Sequence, residues 1–148
     1  MGHGLTVLGF CLLGLLTPAF VYGRSSDPCR YAKSNAEERR CYAKEQARIN
    51  DLAERLAKRF QSEFRKAASD DAGRGDAVVA DLESKTADAI ARSQESWRTY
   101  RDEQCKSVEY SYTTGSGAGT AHEACMFDLG QKRVRELRES FGNYDFSR

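Results

Sequence analysis

Four cysteines, a short loop of small hydroxylated residues and one helix-start histidine are the groups in this chain best placed to do chemistry. Cys29, Cys41, Cys105 and Cys125 would cross-link in an oxidising compartment and would be thiolate ligands or nucleophiles in a reducing one. A structural zinc site wants cysteines or histidines two to four residues apart. No two of these cysteines stand that close, and His122, three residues before Cys125, adds one donor only. His122 reads instead as an exposed residue at the start of a helix. Thr113, Thr114, Gly115 and Ser116 offer hydroxyl and backbone donors on a segment built to be a loop. Acid and base chemistry has little to work with. The 22 Asp and Glu are matched by 23 Lys and Arg, and they alternate with them on helix surfaces. No Ser/His/Asp set can be assembled, and no glycine motif beside a strand could cradle a phosphate. The reading is a protein that is not an enzyme and has no metal or cofactor.

The redox question turns on the first residues. Leu5 to Leu16 is an uncharged apolar run, shorter than the ~20 residues a bilayer-spanning helix needs. It matches the apolar region of a secretory signal, with Val21-Tyr22-Gly23 supplying a cleavage site after Gly23. Removing residues 1–23 of the 148 leaves 125, enough for one domain, and removes Cys11. Four cysteines in an exported chain of this size read as two disulfides. The expected location is secreted or periplasmic, with no stable membrane insertion once the signal is gone. A net charge of +1 argues against nucleic acid, which calls for a clearly basic face.

The elements that position these groups are helical. Residues 24–34 form an extended leader. Ser34-Asn35-Ala36-Glu37 then resembles a capping box. Ile49, Leu52, Ala53, Leu56, Phe60, Phe64 and Ala67 recur in steps of three and four, which predicts one amphipathic helix from about Asn35 to Ala68. Ser69 to Gly75 reads as a break, and Asp76 as the cap of a second helix running to about Tyr110. Its expected inward face is Val79, Leu82, Thr86, Ala89, Ile90, Ser93, Trp97, Tyr100 or Arg101, Gln104 and Val108. Three glycines between residues 115 and 119 predict a loop without regular structure. Thr120 then caps a third helix to about Phe141, with Gly130 marking a point where a neighbouring helix comes close. Residues 142–148 are a tail whose Tyr144 and Phe146 are placed to fold back. No alternating strand pattern appears. The fold class is all-α, an antiparallel three-helix bundle with two disulfides after a cleaved signal peptide, the domain proper covering 35–141.

Four cysteines allow three pairings. An antiparallel turn sets Cys105 beside Cys125, which leaves Cys29 for Cys41. On one continuous helix those last two would lie about 18 Å apart, so the cap at Ser34 has to let Cys29 turn back. The crossed pairing, Cys41 with Cys105 or Cys125, stays open on sequence alone.

Leu82, Gln94, Trp97, Tyr100, Arg101, Cys105, Gly115, Ser116, Cys125, Arg133 and Leu137 follow an ordered pattern: Gln-x-x-Trp-x-x-Tyr-Arg-x-x-x-Cys, a Gly-Ser loop, a second Cys, then Arg and Leu. That pattern resembles the LprI-type lysozyme inhibitor N-terminal domain family, over about Leu82 to Leu137. Cys29 and Cys41 look like the family's N-terminal cysteine pair. The family's first-helix Leu-Asn-x-x-Tyr is replaced here by Leu52-Ala53-Glu54-Arg55-Leu56 or Leu56-Ala57-Lys58-Arg59-Phe60.

The resemblance implies a protein-binding module whose partner is a lysozyme. The competing reading is an envelope adaptor of the same fold with no effect on lysozyme. Trp97, Arg101 and Arg133 read as structural, the ring buried and the guanidinium stems packed on the core. Thr113, Thr114, Gly115 and Ser116 are the candidate target-contact loop, because binding residues concentrate on such loops.

Overall fold

A computed structural model of the chain describes residues 27–113 and 115–146. The expected export signal at residues 1–23, and Thr114 of the candidate loop, lie outside the described residues. Three helices follow one another: α1 spans Asn35–Arg74, α2 spans Ala77–Ser111 and α3 spans Ala118–Phe141. Cross-helix pairs fix their directions. Arg65 meets Asp88 while Arg98 meets Glu54, so α1 and α2 are antiparallel. Arg133 meets Gln94 while Cys105 bonds Cys125, so α2 and α3 are antiparallel as well. The bundle is all-α, as the helical periodicity predicts.

Each helix starts and stops for a local reason. The Glu37 N–H donates to Ser34 Oγ at 3.3 Å, and Glu37 Oε2 accepts from the Lys33 N–H at 2.9 Å. That capping box ends the helix on its N-terminal side and leaves the leader free to reverse. Asp76 caps α2 by accepting from the Val79 N–H at 3.2 Å. Between α1 and α2 the sequence expectation needs correction. No break forms at Ser69; α1 runs on through Gly73, with buried Asp71 paired to Arg74. The turn is confined to Gly75, whose φ of +86° suits a residue without Cβ. Its N–H donates to Ala72 O, and the Asp76 N–H to Asp71 O, which satisfies the last carbonyls of the helix.

The core divides into two connected clusters. Ile49, Ala53, Phe127 and Val134 form one, with Tyr42 and Trp97 packed against it. Ala57, Phe60, Phe64, Ala87, Ile90 and Leu137 form the other. The tail closes it from outside: Tyr144 and Phe146 lie on Phe64 with ring centroids 4.6 and 5.1 Å away. The α1 stripe is the expected one. The α2 face is rotated from expectation. Leu82 is 58% exposed, and Ala89, Ser93 and Gln104 are exposed too. Ile90, Trp97 and Arg101 turn inward as expected, joined there by Glu83, Ala87, Gln94 and Cys105. Glu83 takes a buried place because the returning tail brings Tyr144, whose hydroxyl donates to its Oε1 at 3.2 Å. Phe127 of α3 is also core, although the helical spacing picks out Ala121, Cys125, Leu129, Val134, Leu137 and Phe141 and not this residue.

The two disulfides join Cys29 to Cys41 and Cys105 to Cys125, with Cα atoms 5.8 and 5.5 Å apart. The crossed pairing is therefore not the one adopted. Both bonds sit at the end of the bundle where α1 and α3 begin and α2 finishes.

Candidate functional site

Across the middle of the bundle, one polar residue from each helix meets in a chain. Gln94 of α2 is 4% exposed; its Nε2 donates to Glu54 Oε1 of α1 at 3.1 Å. Its Oε1 accepts from Arg133 Nε of α3 at 3.0 Å. Arg133 also donates to Ser93 Oγ at 2.9 Å and pairs with Glu136. Buried polar groups are tolerated only when so partnered. This arrangement fixes the axial register of all three helices, because a slide by one turn would separate every member. It holds shape, and beside it Glu54, Gln94 and Arg98 line a small open cavity of about 190 Å³.

One turn on, Trp97 packs against the first core cluster, and the Arg101 guanidinium lies 4.8 Å from its ring centroid. Arg101 is anchored in turn to Asp102 at 2.6 Å. Tyr100, offered with Arg101 as alternatives for the inward position, is 56% exposed, so Arg101 is the residue that turns in. Leu137 is fully buried. Leu82 and Tyr100 are thus the helical members of the sequence pattern that face solvent, as Gly115 and Ser116 do from the loop.

The candidate loop is more structured than its glycines predict. The Thr113 N–H donates to Tyr110 O at 3.0 Å, and the Gly115 N–H to Tyr112 O at 2.9 Å. The Ala118 N–H then reaches Gly115 O at 3.2 Å, so successive turns lead directly into α3. The third helix consequently begins at Ala118, after Gly117, and not behind Thr120. Thr120 lies inside the first turn, where its hydroxyl donates to Asn35 O at 3.4 Å. Thr113 has a φ of +53°, in the left-handed region that a β-branched residue rarely enters. Such strain costs on the order of 1–3 kcal/mol and persists only where the surroundings impose it. Thr113 lies within the segment that the Cys105–Cys125 bond closes. Thr113, Gly115 and Ser116 are exposed, and the Tyr112 ring lies over Gly117. His122, expected to be exposed, is partly buried.

Beside this loop an open groove of about 670 Å³ runs between the first turns of α1 and α3. Asn35, Arg39 and Arg40 line one side, and Ser116, Thr120 and Glu123 the other. Asn35 Nδ2 lies 3.5 Å from Ser116 Oγ, which joins the loop to the groove. The arginines were not singled out by the sequence. What brings them to the loop is the return of α3 alongside α1, a long-range event with no local signature.

On the leader side, Tyr42 OH donates to Asp27 Oδ1 at 2.8 Å, and the same oxygen accepts from the Cys29 N–H at 2.8 Å. Burial, with the Asp27 carboxylate adding to it, holds the Tyr42 phenol above its ordinary range. Burial also raises the Asp128 carboxyl; Lys132 opposes that shift and Asp27 adds to it. No group of three or more metal-ligating side chains occurs among the described residues. Nor is any described helix long and apolar enough to cross a membrane.

Comparison with known proteins adds one result. A family model described as lysozyme inhibitor LprI matches residues 29–137, a span that takes in both disulfides, the Glu54–Gln94–Arg133 chain, the loop and the groove. No curated protein and no solved structure matches.

Proposed function

The chain belongs to the lysozyme inhibitor LprI family, and from that premise we propose that it acts outside the cytoplasm by binding a lysozyme and blocking it. The observation that carries this reading is the extent of the family match, from the first cysteine of the domain to Leu137. The chemistry agrees with it. The described part of the molecule is a rigid, cross-linked scaffold with a displayed loop and no assembled catalytic set.

Lysozyme-type hydrolases work with two carboxylates in a cleft. A protruding loop of hydroxyl and amide donors is suited to occupy such a cleft without being cut. Thr113, Gly115 and Ser116 are the described residues proposed to enter it, with Thr114 between them. The strained turn at Thr113 supports this assignment, because a loop already fixed in shape loses little freedom on binding.

The test is a clearing assay. Oxidised mature chain is titrated into a lysozyme acting on a cell-wall suspension, and turbidity is followed. A dose-dependent slowing for at least one lysozyme type is expected. Unchanged clearing at large molar excess, across several types, would replace inhibition with the adaptor reading.

A further inference from the structure

The groove beside the loop sets two arginines side by side on one open surface. Further along α1, Arg48, Arg55, Arg65 and Arg74 each meet a carboxylate. Arg39 and Arg40 meet none among the described residues, although both are exposed and both line the groove. The wall they face is made of small and neutral groups. From Ser111 to Ala121 the chain carries no charged residue, and Glu123 is the groove's one acid. Gly119 leaves room for the Arg39 guanidinium to lie against α3: a Cβ there would fall 2.7 Å from Arg39 Cζ. The position of that arginine is thus built into the packing.

Two unneutralised guanidiniums on an open groove, next to a displayed loop, make a surface complementary to carboxylates. Arginine presents a planar fork that matches a carboxylate with two parallel hydrogen bonds. Arginine and tyrosine are also the residues that most often dominate protein interfaces, and Tyr112 stands half-exposed beside Gly117, next to the loop. We infer that this groove is the electrostatic half of the partner-binding surface: Arg39 and Arg40 receive carboxylates from the acidic wall of the hydrolase's cleft while the loop enters beside them. The inference rests on the inhibitor reading above and adds to it the residues that would set affinity and encounter rate.

The experiment uses the oxidised chain and a lysozyme that the wild-type chain inhibits, with Kd from calorimetry and inhibition from clearing. Three variants are compared: Arg39→Glu with Arg40→Glu; the neutral pair Arg39→Gln with Arg40→Gln; and a control, Arg59→Glu with Lys66→Glu. The control changes net charge by the same amount at exposed positions elsewhere on α1. Charge reversal in the groove is expected to weaken binding about 30-fold or more, and the neutral pair about tenfold. The control should stay within about threefold, and the weakening should shrink as salt is raised. Groove variants that bind like the control, while the wild type inhibits, would overturn the groove assignment and leave the inhibitor reading intact. A wild-type chain that inhibits no lysozyme would bring down both, and the wild-type measurement alone would show it.

Discussion

Gly130 of α3 lies so close to Asn50 of α1 that a Cβ at position 130 would fall 2.6 Å from Asn50 Oδ1. The same Cβ would fall 2.7 Å from Ile49 Cγ2. The absence of a side chain at Gly130 leaves the space that Ile49 and Asn50 of α1 occupy. A glycine inside a helix ordinarily costs about 1 kcal/mol relative to alanine. Here the balance is reversed, since the overlap involves buried side chains with little room to move. Gly130→Ala is expected to destabilise by about 1–2 kcal/mol, the overpacking cost exceeding the gain in helix propensity. Thermal unfolding should show a fall of about 4 °C for each kcal/mol.

The chain from Glu54 through Gln94 to Arg133 predicts non-additive mutations. Gln94→Ala strands a mostly buried guanidinium and a carboxylate together and should cost about 2–3 kcal/mol. Arg133→Met removes one of those partners. A double-mutant cycle between Gln94 and Arg133 should return a coupling of about 1–2 kcal/mol, measured by urea unfolding. A coupling near zero would mean that the contact does not hold the helices in register.

How much of this was legible beforehand depends on where each signal resides. The α1 stripe from Ile49 to Phe64 is apolar and periodic, and it is buried as its spacing requires. The caps at Ser34 and Asp76 are local and were equally readable. The α2 face was not, because its inward positions include Glu83 and Gln94, which read as solvated until their partners on other elements are known. Leu82 misled for the opposite reason, being an apolar residue left outside. Gly73 was no more able than Gly75 to announce which of them would end the helix. The outer face of α1 reads from sequence as charged and as one candidate to meet an acidic cleft, but which of its arginines form a groove does not, since Arg39 meets Gly119 of α3 only after about 80 intervening residues have folded.

The disulfides should contribute comparably. They close loops with sequence separations of 12 and 20 residues, for which chain-entropy estimates give about 3 kcal/mol each. Replacing Cys105 and Cys125 by serine should therefore lower stability by about that amount. It should also loosen the segment that the bond closes, which carries the loop, so inhibition is expected to fall more than stability alone explains. Pairing the Cys29→Ser and Cys41→Ser chain with it in the clearing assay separates the two effects.

Asp128 gives a pH dependence with a definite sign. Its carboxyl is raised in the folded chain, by burial first and by Asp27 as well. Ionisation is therefore less favourable folded than unfolded. The native state gains from protonation, and that gain is complete below the ordinary value near 3.9 and lost as pH rises through the elevated folded value. Asp128→Asn should accordingly stabilise the chain at neutral pH, with the benefit fading as pH falls through the raised folded value and gone below about pH 4. Urea midpoints at a series of pH values would read it; a benefit independent of pH would point to a cause other than ionisation.

Covalent ties gather at the end that carries the loop, whereas the opposite end is closed by the rings of Phe64, Phe141, Tyr144 and Phe146. Such a molecule loosens unevenly. Warming peels the tail and the Gly75 hairpin first, while the sulfur-stapled crown keeps its outline. A protease acting on the frayed stem is therefore expected to leave the loop-bearing head in one piece.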